Sequence, residues 1–364
     1  MKFLILGIFT TFFSFCILPQ NKSNYVLESY LTQDKSLDKK VDEIFESLNL
    51  NSLIGQLIMP ACGRLGQKID TIKALLNDQI IGGVLLLNGT KNEFSKWIQE
   101  YNKINKEKNN LPLLYSADAE PSLVNRKIIG STPVSKANTI SNLSQVKEVA
   151  KIISSDLNNI GINYNFAPVV DVAKNKTVGY RGFGSNPENI IPFSNAFIKQ
   201  TQSQNIIATA KHFPGHGLVS GDTHKSLQII NGELKELKNY PPLINQGVLS
   251  IMVAHIAVTN NKEFNTNGAP ATTSSIIVQN LLRDSLGFKG LIVTDAMNMG
   301  GVVNYPNAIV KAIYAGCDII LMPKDTRKAH YLIKSEYIKN KIFETKVNKS
   351  VKRIIRMKIC LGII

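Results

Sequence analysis

The sequence has few of the residues that build disulfide frameworks, and it lacks the motif of a nucleotide-binding sheet. Of its four cysteines, Cys16 lies in the apolar run near the N-terminus, and the remaining three cannot make a disulfide framework. No Gly-x-Gly-x-x-Gly run follows the first candidate strand, which argues against a dinucleotide-binding fold. The early apolar run, residues 3–18, is shorter than the about 20 residues that a full membrane span needs. With 44% hydrophobic residues, the chain is expected to be a globular protein with an apolar core.

Basic residues outnumber acidic ones, with 42 Lys and Arg against 27 Asp and Glu and a net charge of +15. Such an excess is compatible with an anionic partner such as a nucleic acid, a membrane surface or a cell-wall polymer. The lysines are scattered, however, and no nucleic-acid-binding motif accompanies them. We therefore predict a solvated basic surface and no nucleic-acid partner.

The first 25 residues are predicted to be an export segment rather than part of the fold. Lys2 precedes the apolar run, as in a signal peptide, but no clean small-x-small cleavage site precedes Pro19. A membrane anchor through residues 3–18 is therefore the alternative. Either form predicts an exported protein, periplasmic or membrane-anchored, whereas a non-functional signal would leave it in the cytoplasm. Residues 26–364 then form one catalytic domain, within the size range of a single α/β barrel.

Short apolar runs alternate with longer amphipathic runs, which predicts an α/β fold with a parallel sheet covered on both faces. The predicted strands are residues 55–61, 81–87, 113–117, 164–170, 206–210, 249–254, 291–294 and 318–322. The predicted helices are residues 38–53, 71–77, 93–107, 144–159, 190–204, 234–245, 275–286 and 307–315. Eight strand–helix units favour closure into a single-domain (β/α)8 TIM barrel, and an open doubly wound sheet is the alternative.

Ionisable residues directly follow several of the predicted strands. They are Asp118 and Glu120 after the third strand, Asp171 after the fourth, Lys211 and His212 after the fifth, His255 after the sixth and Asp295 after the seventh. In such barrels the active site is built at the carboxyl ends of the strands. We therefore expect these side chains to converge, although His255 fits a hydrogen-bonded structural role as well as a substrate contact.

The densest group of polar residues is Lys211-His-Phe-Pro-Gly-His-Gly followed by Asp222-Thr-His224. Proline and glycine end regular structure, so this segment predicts a long loop. His212, His216, Asp222 and His224 could ligate zinc. Alternatively, Asp222 orients and charges His224 for acid/base catalysis. The chain offers no second cluster of ligands, which favours acid/base catalysis and predicts no metal.

Asp295 ends the apolar run Gly-Leu-Ile-Val-Thr, where a carboxylate either caps the next helix or points into the barrel mouth as a nucleophile. With these residues the sequence resembles glycoside hydrolase family 3, specifically its bacterial β-N-acetylglucosaminidases. The histidine-containing segment with Asp222-x-His224 is the most specific element. Asn165-Phe-Ala-Pro-Val-Val-Asp171, Gly179-Tyr-Arg-Gly-Phe-Gly-Ser-Asn-Pro and Leu286-Gly-Phe-Lys-Gly-Leu-Ile-Val-Thr-Asp295 support it, in the family's order across about residues 50–300.

The resemblance implies a retaining double displacement that needs no metal or organic cofactor. Asp295 would be the nucleophile, His224 the acid/base, and Asp222 the group that holds the His224 tautomer. The family's sugar-binding positions correspond to Asp118, Arg126, Arg181, Lys211 and His212.

The expected activity is that of a β-N-acetylhexosaminidase, which removes terminal β-linked N-acetylglucosamine, here from peptidoglycan-derived muropeptides. A phosphorylase and a catalytically weak muropeptide-binding protein are the alternatives. The latter depends on one departure, since Glu120-Pro121-Ser122 stands where the family has Glu-Gly-Gly and loses two flexible glycines. Because every catalytic position is present, we expect an active enzyme.

Overall fold

The computed structural model describes residues 25–364. The predicted export segment, residues 1–25, lies outside the described residues except for Tyr25. Within the described part of the chain, no helix combines the length and the apolar character that a membrane span requires.

Parallel strands form the centre of the molecule. The strands of the described region are β1 (Ile58–Met59), β2 (Ala61–Cys62), β3 (Gly83–Leu86), β4 (Gly89–Thr90), β5 (Leu114–Ala117), β6 (Ile128–Ile129), β7 (Tyr164–Asn165), β8 (Ile207–Phe213), β9 (Gln228–Asn231), β10 (Ser250–Val253), β11 (Ile256–Thr259), β12 (Leu291–Thr294) and β13 (Ile320–Leu321). Seven of them form one parallel sheet in the order β12-β10-β8-β7-β5-β3-β2. Each of the eight predicted strands overlaps an observed one, and the predicted α/β fold with a parallel sheet is confirmed.

The parallel sheet is curled. Beyond β12, an isolated bridge joins Val293 to Ile319, just before β13. Strand β13 pairs in parallel with β1, through Ile58 with Ile320 and Met59 with Leu321. Along the chain, β1 runs directly into β2, the strand at the other end of the seven-stranded sheet.

Helices connect the strands and cover the outside of the sheet. They are α1 (Lys35–Glu46), α2 (Leu50–Gly55), α3 (Ile69–Asn77), α4 (Lys91–Glu107), α5 (Val124–Lys127), α6 (Leu143–Ile160), α7 (Pro187–Gln202), α8 (Tyr240–Asn245), α9 (Ala308–Ala315), α10 (Thr326–Lys339) and α11 (Lys341–Cys360), with a π-helix at Ile276–Ser285. Side-chain caps begin several of them; Thr90 and Glu93, for example, form a capping box at the start of α4. Gly161 ends α6 in the left-handed conformation, as expected for a glycine after a helix.

Several predicted boundaries differ from the structure, and three of these differences have a clear physical reason. The predicted helix 38–53 is two helices, α1 and α2, because Asn49 accepts a hydrogen bond from the Ser52 amide and starts a new helix. Gly55, predicted to open the first strand, is the last residue of α2, where its missing side chain allows close contact with the backbone of residues 79–81. Strand β8 extends past its predicted end because β10 continues to pair with it, so Lys211 and His212 lie within the strand.

The strands of the seven-stranded sheet are buried along their length, as expected for a parallel sheet covered on both faces. Their carboxyl ends share one edge, at which two small parallel pairs, β4–β6 and β9–β11, lie beyond the main sheet. Loops after β5, β8, β10 and β12 therefore meet at this edge.

Candidate active site

A cavity of about 490 Å³ lies at the carboxyl ends of the strands, a volume within the range of small-molecule sites. All eight predicted site residues line this cavity, and they are Asp118, Arg126, Arg181, Lys211, His212, Asp222, His224 and Asp295. The structure therefore brings the catalytic and sugar-binding candidates together from segments more than 170 residues apart in the chain. Their roles stay predictions.

A buried network of ion pairs supports the cavity. The Lys211 Nζ lies 3.0 Å from Asp118 Oδ1 and 2.6 Å from Glu120 Oε1. Arg181 donates to the same Glu120 through Nε at 2.9 Å and Nη2 at 2.6 Å, a bidentate pair with a fixed geometry. Glu120 is fully buried and is not among the residues that line the cavity. Glu120 thus orients two sugar-binding candidates, Lys211 and Arg181.

Both carboxyl groups of this network are held in the ionised form. Burial would raise the pKa of Asp118, but the Lys127 and Lys211 ammonium groups outweigh burial and hold that pKa well below its ordinary range. Burial likewise opposes ionisation of Glu120, yet Arg181 and Lys211 lower its pKa to about 2. An ionised Asp118 at the cavity can accept hydrogen bonds from sugar hydroxyl groups.

Arg126 and Lys127 end the short helix α5 and differ in their contacts. Lys127 donates to Asp118 Oδ2 at 2.6 Å. Arg126 is exposed and lines the cavity, and it makes no ion pair with any residue between 25 and 364. Lys127 was missed because neighbouring cations on one short helix look equivalent in the sequence.

His212 is oriented by Asp171, which follows the next strand of the sheet. The His212 Nδ1 lies 2.6 Å from Asp171 Oδ2, and Asp171 also accepts the His216 backbone N–H at 2.8 Å. Burial would raise the pKa of Asp171, but the His212 ring and the amide donors hold that pKa below its ordinary value. An ionised carboxylate only accepts, so Nδ1 carries the proton and Nε2 is left for a ligand.

Asp222 and His224 form the predicted pair. The His224 Nδ1 lies 2.6 Å from Asp222 Oδ1, which also accepts the His224 backbone N–H at 3.0 Å. Burial opposes ionisation of Asp222, but these two bonds lower its pKa. Nδ1 therefore donates to the carboxylate, and Nε2 is the atom that can exchange a proton with a substrate. The His224 side chain is 61% exposed, which gives a bound substrate access to it.

Asp295 follows β12 and lines the cavity, and its Oδ1 accepts the Ala296 N–H at 2.8 Å. Burial would raise the pKa of Asp295, but the His212 ring and this N–H lower it, so the carboxylate is ionised. The next helix, α9, has Asn307 as its N-cap, so the helix-cap interpretation of Asp295 is wrong. A nucleophile in this position is consistent with the geometry.

His255 supports the backbone next to Asp295. It is fully buried, its Nε2 lies 3.0 Å from the Ala296 carbonyl oxygen, and its Nδ1 lies 2.9 Å from Thr272 Oγ1. A carbonyl only accepts, so Nε2 carries the proton and the Thr272 hydroxyl donates to Nδ1. Of the two roles left open by the sequence, the structural role is the one observed, because His255 is absent from the cavity lining.

We refer to residues 214–225, which carry Asp222 and His224, as the histidine loop. The Asn175 side-chain amide donates to two loop carbonyls at 2.6 and 2.9 Å. The amides of Gly300 and Gly301 donate to two more, at 2.9 and 3.0 Å. The approach at Gly300 is close enough that a Cβ there would lie 2.1 Å from a loop carbonyl oxygen. The segment after the candidate nucleophile thus holds the end of the loop that carries the candidate acid/base.

A zinc site would require several of these side chains to meet at one point, but the structure places them in separate pairs. His212 pairs with Asp171, and His224 pairs with Asp222. The His216 Nε2 lies 2.9 Å from a threonine hydroxyl. Within residues 25–364, no three His, Cys, Asp or Glu side chains cluster as metal ligands would. The geometry favours acid/base catalysis.

The Pro121-Ser122 departure adds a contact between two loops of the site. The Ser122 hydroxyl donates to the Tyr180 carbonyl at 2.7 Å and accepts the Ala137 amide at 2.9 Å. Pro121 is buried, and Tyr180 lines the cavity next to Arg181. A glycine at position 122 could make neither side-chain bond, so Ser122 fixes the loop that carries these two residues.

Glu236 is a buried residue near the site that sequence reasoning missed. It accepts backbone N–H groups from Val172 and from the histidine loop. Burial and the Asp171 carboxylate raise its pKa to about 8. It lies in a segment of mixed polar residues more than 60 positions after Val172, so no local pattern marks it.

Comparison with known proteins identifies a family model that matches most of the chain. The model described as the glycosyl hydrolase family 3 N-terminal domain matches residues 49–357. β-Hexosaminidase A of Pseudoalteromonas piscicida is 28% identical over 326 residues, which cover 79% of this chain and 54% of that protein. β-Hexosaminidase of Nitrosomonas eutropha is 27% identical over 304 residues, covering 78% and 84% of the two chains.

A solved structure has the same fold. The glycoside hydrolase family 3 β-N-acetylglucosaminidase of Paenibacillus sp. str. FPU-7 superposes with a TM-score of 0.80 at 29% identity. The match covers 87% of this chain but 63% of that one, and the chain spans little more than half of the Pseudoalteromonas relative. Both proteins therefore contain a substantial region with no counterpart in this match.

Proposed function

The chain belongs to glycosyl hydrolase family 3, and we propose that it is a β-N-acetylhexosaminidase that removes terminal β-linked N-acetylglucosamine with retention of configuration. One observation carries this proposal: Asp295, the Asp222–His224 pair and Asp118 with Lys211 line the same cavity. The similar proteins named β-hexosaminidase and β-N-acetylglucosaminidase support the choice of sugar.

In the first step, the Asp295 carboxylate attacks the anomeric carbon of the terminal sugar. The bond from that carbon to the leaving oxygen breaks, and the oxygen takes the proton of His224 Nε2. Because the pKa of Asp295 is lowered, its carboxylate is free to attack. The product is a glycosyl ester on Asp295 and a neutral His224.

In the second step, His224 Nε2 takes a proton from a water molecule as that water attacks the anomeric carbon. The ester bond breaks, and Asp295 leaves as a carboxylate. The ionised Asp222 stabilises the charged form of His224 before the first step and after the second. Two inversions at the anomeric carbon give overall retention.

The buried ion-pair network would hold the sugar. Asp118 can accept hydrogen bonds from two hydroxyl groups, while Lys211 and Arg181 donate from positions that Glu120 fixes. His212 contributes Nε2, since its Nδ1 is bonded to Asp171. Charge-assisted hydrogen bonds of this kind give both orientation and affinity.

We also propose that the curled sheet closes into a single-domain (β/α)8 barrel. The bridge between Val293 and Ile319 and the pairing of β13 with β1 support closure. The Ile320 N–H also donates to the Leu57 carbonyl at 2.7 Å. Amide hydrogen exchange tests this closure: the Ile320 N–H should be as protected as the amides of β10, and rapid exchange there would indicate an open edge.

The substrate and location are further parts of the proposal. Muropeptides with a terminal N-acetylglucosamine are the substrate we propose, and export or membrane anchoring through residues 3–18 is the location. Digestion of purified muropeptides followed by mass spectrometry tests the substrate. Cell fractionation tests the location, because a cytoplasmic protein would contradict it.

The activity is tested by incubating the full chain with p-nitrophenyl β-N-acetylglucosaminide, with and without phosphate. We expect release of nitrophenol, with β-N-acetylglucosamine as the first product in proton NMR. An α-anomer as the first product would contradict a retaining mechanism. Phosphate-dependent formation of sugar 1-phosphate would identify a phosphorylase instead. Tight binding without turnover would identify a binding protein.

A further inference from the structure

Glu236 joins the start of the histidine loop to the segment after β7. Its Oε1 accepts the Val172 amide at 2.6 Å and the Gly217 amide at 3.2 Å, and its Oε2 accepts the Leu218 amide at 3.2 Å. The side chain is 3% exposed, and the cavity lining does not include it. Both of its oxygens are therefore committed to backbone N–H groups, two of which belong to the loop.

Two glycines of the loop lie directly against this carboxyl group. A Cβ on Gly215 would lie 2.6 Å from the Glu236 Cβ and 2.7 Å from its Oε2. A Cβ on Gly217 would lie 2.6 Å from the Glu236 Oε1 and 2.0 Å from the Val172 carbonyl oxygen. The glycines of the histidine motif therefore create the space that the Glu236 side chain fills.

The loop has a second attachment at its other end, where Gly300 and Gly301 donate to the carbonyls of His224 and Thr223. Only a few residues lie between the two attachments, and the Asn175 side chain donates to two of their carbonyl groups. Displacement at residues 217–218 would therefore move the Asp222–His224 pair relative to Asp295.

We propose that Glu236 is a positioning residue that clamps the start of the histidine loop and thereby places His224 for proton transfer to the leaving group. Glu236 touches no substrate and acts through the loop. This inference rests on the proposed function for its catalytic consequence, whereas the clamp itself is a property of the fold.

The test compares Glu236→Ala with Asn239→Ala, a matched control. Asn239 lies in the same turn, is fully buried, and its side chain donates to the Val170 carbonyl at 2.9 Å without a hydrogen bond to the loop. Amide hydrogen exchange in the loop should become at least about tenfold faster at Gly217 and Leu218 in Glu236→Ala, because each amide loses its acceptor. Asn239→Ala should leave these rates within about twofold of wild type.

The catalytic readout is the ratio of kcat/KM for an aryl glycoside with a poor leaving group to that for the 2,4-dinitrophenyl glycoside. A displaced acid slows only the poor leaving group, so the ratio should fall about tenfold or more in Glu236→Ala. A merely structural role lowers both values equally and leaves the ratio unchanged, as expected for Asn239→Ala. Unchanged loop exchange or an unchanged ratio in Glu236→Ala would overturn the proposal.

A second variant covers a failure of Glu236→Ala to fold. Above pH 8, where Glu236 is ionised, Glu236→Gln keeps an oxygen for Val172 and Gly217 but turns an amide N–H toward the Leu218 N–H, so exchange should accelerate at Leu218 in particular. The wild-type rate at Leu218 would contradict the clamp. If wild type hydrolyses neither glycoside, the proposed function is wrong, and the exchange rates alone decide whether Glu236 holds the loop.

Discussion

Removal of the charge on Glu120 should cost both stability and substrate affinity. Glu120→Gln preserves the shape of the side chain but leaves Arg181 and Lys211 facing an amide that can accept with only one atom. Three short contacts, at 2.6, 2.6 and 2.9 Å, converge on the native carboxylate. Because Glu120 is fully buried, water does not reach the position of its lost carboxylate oxygen.

The pKa of Glu120 gives the magnitude. It falls from 4.5 to about 2 on folding, because Arg181 and Lys211 outweigh the opposing effect of burial. A difference of roughly 2.5 units corresponds to about 3 kcal/mol of folding free energy. A lowered folded pKa means that this stabilisation is present above pH 4.5 and is lost as the pH falls toward about 2. Breaking a buried ion pair typically costs about 3–5 kcal/mol, which agrees.

Urea unfolding of wild type and Glu120→Gln between pH 7 and pH 2.5 measures this effect. The difference in unfolding free energy should be about 3 kcal/mol at pH 7 and should shrink as the pH falls below about 4. In addition, KM for an aryl glycoside should rise at least about tenfold, since Lys211 and Arg181 lose their orientation.

Asp156→Asn is the matched control. Asp156 is buried and paired with Lys91 at 2.6 Å, outside the cavity lining, and the Lys91 and Thr132 donors lower its pKa against the effect of burial. This variant should lose stability but keep the wild-type KM. A stability difference for Glu120→Gln that does not depend on pH, or an unchanged KM, would refute the reasoning about the ion-pair network.

Three further predictions concern the reacting groups. His224→Ala should lower kcat/KM by about 10²–10⁴-fold for poor leaving groups and far less for the dinitrophenyl glycoside, and equal losses would argue against a proton donor. The acid limb of the kcat/KM profile should lie below pH 3.8, the ordinary Asp pKa, because the pKa of Asp295 is lowered; a limb near pH 6 would contradict this. Dialysis against EDTA should leave activity intact, and a loss restored by zinc would instead support ligation by the histidine loop.

Much of the site could be predicted because its residues directly follow apolar strands. Asp118, Asp171 and Asp295 each come after a buried run, and the carboxyl ends of parallel strands share one edge. Asp222 and His224 lie two positions apart, so their pairing is a local contact that the spacing itself suggests.

The remaining features depend on contacts between distant segments. Glu236 approaches Val172 and the histidine loop only after the chain has folded, and nothing near Glu236 in the sequence marks it. Lys211 seemed to follow its strand, whereas pairing with β10 extends β8 beyond it. Ser122 looked like a loss of flexibility, but it bonds to the Tyr180 carbonyl, a partner 58 positions away.

The most direct test of the central claim is to trap the glycosyl ester. Wild type and Asp295→Asn are incubated with a slow, fluorinated aryl β-N-acetylglucosaminide, digested with protease and analysed by mass spectrometry. We predict one added sugar mass on the wild-type peptide that contains Asp295 and none on the variant, which should also be inactive. A sugar attached to another residue, or wild-type turnover by Asp295→Asn, would contradict the assignment of Asp295 as the nucleophile.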